Sequence, residues 1–67
     1  MSLNGEQIKT IRAKLGLTQA ELARELYLDG KYGARTVRRW ENDEIPITGP
    51  ACRALEEIAK RCRIAIP

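Results

Sequence analysis

The chain has no histidine, no phenylalanine, only two cysteines and no long apolar run in its 67 residues. Each absence closes a class of function. Without histidine, the side chain most used for proton transfer near neutral pH is missing. No Ser/His/Asp or Cys/His set can be assembled, and no glycine loop is built to cradle phosphates. Asp43 and Glu44 are a carboxylate pair, but in a loop with no cleft implied, so an enzyme is not expected. With no histidine and two cysteines a structural zinc site has no ligand set, and no metal or other cofactor is expected. Cys52 and Cys62 sit in what reads as one helix, about 15 Å of rise apart. A disulfide needs Cα atoms within about 7 Å, so both are expected to stay reduced as small core or boundary residues. No stretch approaches the roughly 20 apolar residues of a membrane span, and the N-terminus lacks the apolar region of a signal peptide. These absences predict a soluble cytoplasmic protein with no membrane partner.

What remains is an ordinary globular balance, 43% hydrophobic and 31% charged, with aliphatic rather than aromatic packing. The length allows one small domain, taken as residues 1–67, and a chain this short buries only about 60% of its unfolded surface. The net charge of +3 is modest, but its distribution is not uniform. Cations gather at 31–39 and again at Lys60, Arg61 and Arg63, with the acidic run Glu41, Asp43 and Glu44 between them.

Four short helices follow from the patterning, with no convincing strand. Asn4 with Gln7 can form a capping box at the start of the first, whose Ile8, Ile11 and Leu15 share a face and whose end falls at Gly16. Thr18 with Glu21 is a second box, followed by Leu22, Ala23 and Leu26 on one side. Asp29, Gly30 and Gly33 supply turn chemistry, with Tyr27 expected to pack at the end of the second helix. A third helix is expected from about Ala34 to Glu41. Pro46 keeps the following segment out of helix, and Ile47 is expected to anchor that loop. Pro50 opens the last helix, in which Ala51, Ala54, Leu55, Ile58, Ala59 and Cys62 form the clearest amphipathic pattern.

The third helix carries the chemistry. In Lys31-Tyr-Gly-Ala-Arg-Thr-Val-Arg-Arg-Trp-Glu41, Arg35, Arg38 and Arg39 lie at i, i+3 and i+4 and can share one side. Val37 and Trp40 form an apolar seam on another, so Trp40 is expected in the core rather than on a partner. A helix held by a core while it presents arginines fits an anionic partner, duplex DNA first. Tyr32, beside Lys31, could donate its hydroxyl to a phosphate.

Leu15-Gly-Leu-Thr-Gln-Ala-Glu-Leu-Ala-Arg-Glu-Leu26 resembles the opening of the phage-repressor and Cro-like helix-turn-helix family. Thr36-Val-Arg-Arg-Trp-Glu41 looks like the end of that family's recognition helix, and Arg12 also matches. The resemblance covers roughly residues 5 to 62. It implies an all-α, compact four-helix, lambda-repressor-like domain that binds double-stranded DNA, often as a homodimer, in a bacterial or phage setting, at the nucleoid when bound. Under it, Ala34, Arg35 and Arg39 face base edges, and an arginine can present two donors to guanine. Gln19 holds a phosphate at the start of the second helix. Arg12 pairs with Glu41 to fix the third helix on the first. Apart from the resemblance, Arg38, Lys31, Tyr32 and Thr36 are the other expected phosphate contacts. The chain departs from the pattern in a longer segment between Leu26 and Val37, and in Asp43 and Glu44, whose charge should repel phosphate. The function implied is a small repressor-like transcriptional regulator. The alternative is an antitoxin-like or accessory interaction module on the same fold, with Ile64–Pro67 at a homodimer or partner surface.

Overall fold

The computed structural model describes residues 3–28 and 32–65. Those residues form four helices and no strand: α1 (Gly5–Leu15), α2 (Gln19–Glu25), α3 (Gly33–Glu41) and α4 (Gly49–Arg61). Both expected capping boxes are present. Asn4 accepts from the Gln7 backbone N–H while Gln7 accepts from that of Asn4, and Thr18 and Glu21 exchange the same two bonds. The bond from the Thr18 backbone N–H holds the Glu21 carboxyl below its ordinary range. α1 and α2 thus start where their first free N–H groups find a side-chain acceptor.

The core is aliphatic with one aromatic. Ile8 and Ile11 of α1, Leu22 of α2, Val37 and Trp40 of α3, and Leu55 and Ala59 of α4 are buried together. Ile47 is buried as the loop anchor, and Cys52 joins the core while Cys62 is exposed at the end of α4. Cys62 therefore leaves the expected apolar face of α4, because it is the residue that caps that helix. α2 packs mainly on α3, and α3 also packs on α1. None of the described helices is long and apolar enough to cross a membrane.

Three helix ends use a left-handed residue that is not glycine: Tyr27 (φ 60°), Asp43 (φ 58°) and Arg63 (φ 56°), alongside Gly16 at φ 72°. At Tyr27 the next N–H, that of Leu28, reaches back to the Ala23 carbonyl at 2.9 Å, while Tyr27 N–H reaches Arg24 at 3.1 Å. This double closure satisfies the last carbonyls of α2. It also corrects the expected placement of Tyr27, which is 89% exposed. The left-handed turn sends its side chain outward and brings Leu28 against the core instead. A non-glycine residue in this region is strained. Tyr27→Gly is therefore expected to stabilise the fold by about 0.5–1 kcal/mol, strain relief net of the added freedom of the unfolded chain. Urea unfolding checks it, and a lowered midpoint would show that the exposed ring contributes to stability.

α3 begins one residue before the expected Ala34. Gly33 is a close-packing residue rather than a turn residue: a Cβ there would lie 3.0 Å from both the Ala23 Cβ and the Leu28 carbonyl oxygen. The absence of a side chain lets α3 start directly against α2. Tyr32 is the N-cap residue of α3, without a side-chain capping bond to that helix, and its side chain is exposed.

Candidate nucleic-acid interface

A buried carboxylate organises the junction of three elements. Glu41, at the end of α3, has a side chain only 4% exposed. One of its oxygens accepts from Arg12 Nε at 2.6 Å, and the other accepts from Arg12 Nη2 at 3.2 Å and Gln19 Nε2 at 3.0 Å. Arg12 Nη1 donates in addition to the Leu17 carbonyl at 3.0 Å. The expected Arg12–Glu41 pair is thus present as a two-pronged bond. It ties α1 to α3 and, through Leu17 and Gln19, to the start of α2.

A second tie lies beside it. Gly5 packs its backbone on the end of α3, and its N–H donates to Asp43 Oδ1 at 2.8 Å. Asp43 is the left-handed residue that closes α3, with its N–H on the Trp40 carbonyl at 3.1 Å. One residue therefore ends α3 and places a carboxylate at the positive N-terminal end of α1. The Asp43 charge, expected to repel phosphate, has an internal partner.

On the outward side of α3, Arg35 and Arg38 are exposed and Ala34 is half-buried. These three residues and Gln19 line one shallow concavity where the start of α2 meets the start of α3. The Gln19 amide gives one N–H to Glu41 and keeps another for an outside acceptor. Arg39 lies nearer the C-terminal end of α3, half-buried. Its Nε is 3.7 Å from Glu44 Oε1, in a pair whose side chains are 42% and 52% exposed. The Thr36 hydroxyl donates to the Tyr32 carbonyl at 2.9 Å, so a phosphate at Thr36 would compete for its single proton. Lys31, with Asp29 and Gly30, lies outside the described residues, as do Ile66 and Pro67; of the apolar tail, Ile64 packs against the core and Ala65 is exposed.

Three parts of this site were not foreseen from the residues. The Gln19–Glu41 bond, the Gly5–Asp43 contact and the Arg39–Glu44 pair each join residues whose proximity depends on the folded arrangement. Only Arg39 and Glu44 carried a local signal, a cation and an anion straddling a helix end.

Comparison with known proteins places this geometry. A family model described as helix-turn-helix matches residues 8–65, which is most of the chain. The type II methyltransferase M.SsoII of Shigella sonnei is 48% identical over 48 residues, covering 72% of this chain. The chain spans only 12% of that enzyme's length. No solved structure matches.

Proposed function

The chain belongs to the Cro- and repressor-like helix-turn-helix family of DNA-binding domains, and from that premise we propose that it is a sequence-specific transcriptional regulator, reading the major groove with α3. The observation that carries this reading is the concavity of Gln19, Ala34, Arg35 and Arg38, tied through the Gln19–Glu41 hydrogen bond to the part-buried Arg12–Glu41 pair. Donors that are exposed, clustered and backed by a rigid charge pair suit a ligand of fixed shape and negative charge.

In this reading Arg35 and Arg39 meet base edges, with Ala34 making apolar contact in the groove. Gln19 and Arg38 contact phosphate and set the register, joined by Lys31, Tyr32 and Thr36 at the flanks. The role is binding, with no reaction of its own: Arg12, Thr18, Glu21 and Glu41 are all engaged in structural bonds. One copy makes few phosphate contacts, so useful affinity at physiological salt calls for a homodimer on two half-sites about 34–36 Å apart.

The methyltransferase relative bears on context. Its likeness to this chain is confined to a small fraction of its length, so the methyltransferase activity in its name is not carried over to this chain. A partner-binding role in place of DNA binding would be favoured by burial of Arg35, Arg38 and Arg39 against acidic groups; Arg35 and Arg38 are exposed, while Arg39 is half-buried beside Glu44.

A gel-shift series tests the assignment. Arg35→Ala should lose about 1–3 kcal/mol of affinity for the cognate duplex and relax preference at one base pair. Gln19→Ala should weaken all duplexes alike. Binding that is equal across variants and insensitive to salt would reject the reading.

A further inference from the structure

The geometry points to Glu44 as a specificity-determining residue: its carboxylate faces the inner nitrogen of Arg39 at 3.7 Å, which favours the outer guanidinium fork as the edge offered to a base. The inference rests on Arg39 meeting a base edge, and it goes beyond that reading by assigning how the arginine is aimed and by which residue.

The backbone sets the pair. α3 closes with the left-handed Asp43, and the following N–H, that of Glu44, donates to the Arg39 carbonyl at 2.9 Å. Residues 39 and 44 are thereby held together at the end of α3 whatever their side chains do. Glu44 Oε1 then faces Arg39 Nε at 3.7 Å, and Asn42 Nδ2 donates to Glu44 Oε2 at 3.4 Å. Its two oxygens thus face different partners, Oε1 the Arg39 Nε and Oε2 the Asn42 amide.

An arginine can grip guanine O6 and N7 through its two terminal nitrogens or through Nε and one of them. A carboxylate facing Nε competes with a base for the second edge and leaves the first free. The pair is exposed, so its contribution is modest. Glu44 should therefore have two opposite effects on DNA. Its charge lowers affinity for every duplex, and its pull on Arg39 sharpens the preference at one base pair.

These effects separate in Glu44→Gln, a substitution at an exposed side chain that is expected to fold as the parent does; circular dichroism and thermal melting of each variant establish this first. Duplexes enriched by the unaltered chain from a random pool serve as probes. Each base pair is then varied in turn and titrated with the parent, Glu44→Gln, Arg39→Gln and the double variant at two salt concentrations. The expected result is tighter binding of unrelated duplexes by Glu44→Gln, with a loss of about two- to fivefold in discrimination at the base pair that Arg39→Gln also relaxes. The double variant should show no further loss there. Unchanged discrimination in Glu44→Gln with uniformly raised affinity would overturn the inference, leaving Glu44 as a repulsive charge only. If Arg39→Gln relaxes no base pair, the premise that Arg39 meets a base fails instead.

Discussion

Glu41→Ala should cost about 3–5 kcal/mol, the range seen when one partner of a buried ion pair is removed. A fold of this size has about 3–10 kcal/mol in all, so the substitution removes from roughly a third of that stability to all of it. The reason is the company Glu41 keeps. Its side chain is 4% exposed and that of Arg12 18%. Deleting the carboxylate leaves the Arg12 guanidinium with only the Leu17 carbonyl and releases the Gln19 amide. A charge left half-desolvated without its counter-ion costs more than the pair contributed. It follows that replacing both partners, Arg12→Met with Glu41→Leu, should recover much of the loss. Urea denaturation of the two variants decides it. A cost near 0–1 kcal/mol for Glu41→Ala would mean that solvent screens the pair as it does on a surface.

Gly5→Ala should be nearly as damaging, for a steric reason. A Cβ at Gly5 would sit 2.3 Å from the Glu41 carbonyl oxygen and 2.7 Å from that of Trp40. Both obstacles are backbone and cannot rotate away. Either α1 and α3 separate, or the first turn of α1 unwinds and loses the Gly5–Asp43 bond. Overpacking of this kind costs about 1–3 kcal/mol and sometimes more, and here it falls on the helix that carries the arginines. Gly49→Ala is the control: it adds the same methyl group where no atom lies within 4 Å. That variant should be neutral or slightly stabilised, since alanine is the better helix former. Thermal melting of the two alanine variants side by side tests the contrast. Equal midpoints would show that α1 and α3 are not held in this close approach.

Both effects concern contacts between distant parts of the chain, and there the sequence was only partly legible. Helix starts were plain because a capping box is local: Asn4 with Gln7 and Thr18 with Glu21 are read three residues apart. The buried faces of α1, α2 and α3 followed from periodicity, down to Val37 and Trp40. Arg12 and Glu41 are 29 residues apart, and only the likeness to known helix-turn-helix proteins joined them. Gly5 and Gly33 carry no mark that distinguishes close packing from a turn, since what they permit depends on the neighbouring backbone. Tyr27 looked like a packing aromatic because its chemistry is apolar, and only its left-handed backbone turns it outward. In the interface, helical spacing put Arg35, Arg38 and Arg39 on one side; Arg35 and Arg38 line one concavity with Ala34 and Gln19, and Arg39 does not join them. Arg39 is near the far end of α3, and the turn after that helix brings Glu44 beside it.

The central claim is that α3 presents arginines that distinguish one duplex sequence from another. Selection of bound duplexes from a random pool, repeated with Arg35→Ala, tests it most directly. The account predicts one enriched motif for the unaltered chain, two-fold symmetric if it binds as a dimer. With Arg35→Ala the same motif should return with preference lost at a single position of each half-site. A pool that stays random after repeated rounds, or a motif untouched by Arg35→Ala, would contradict it.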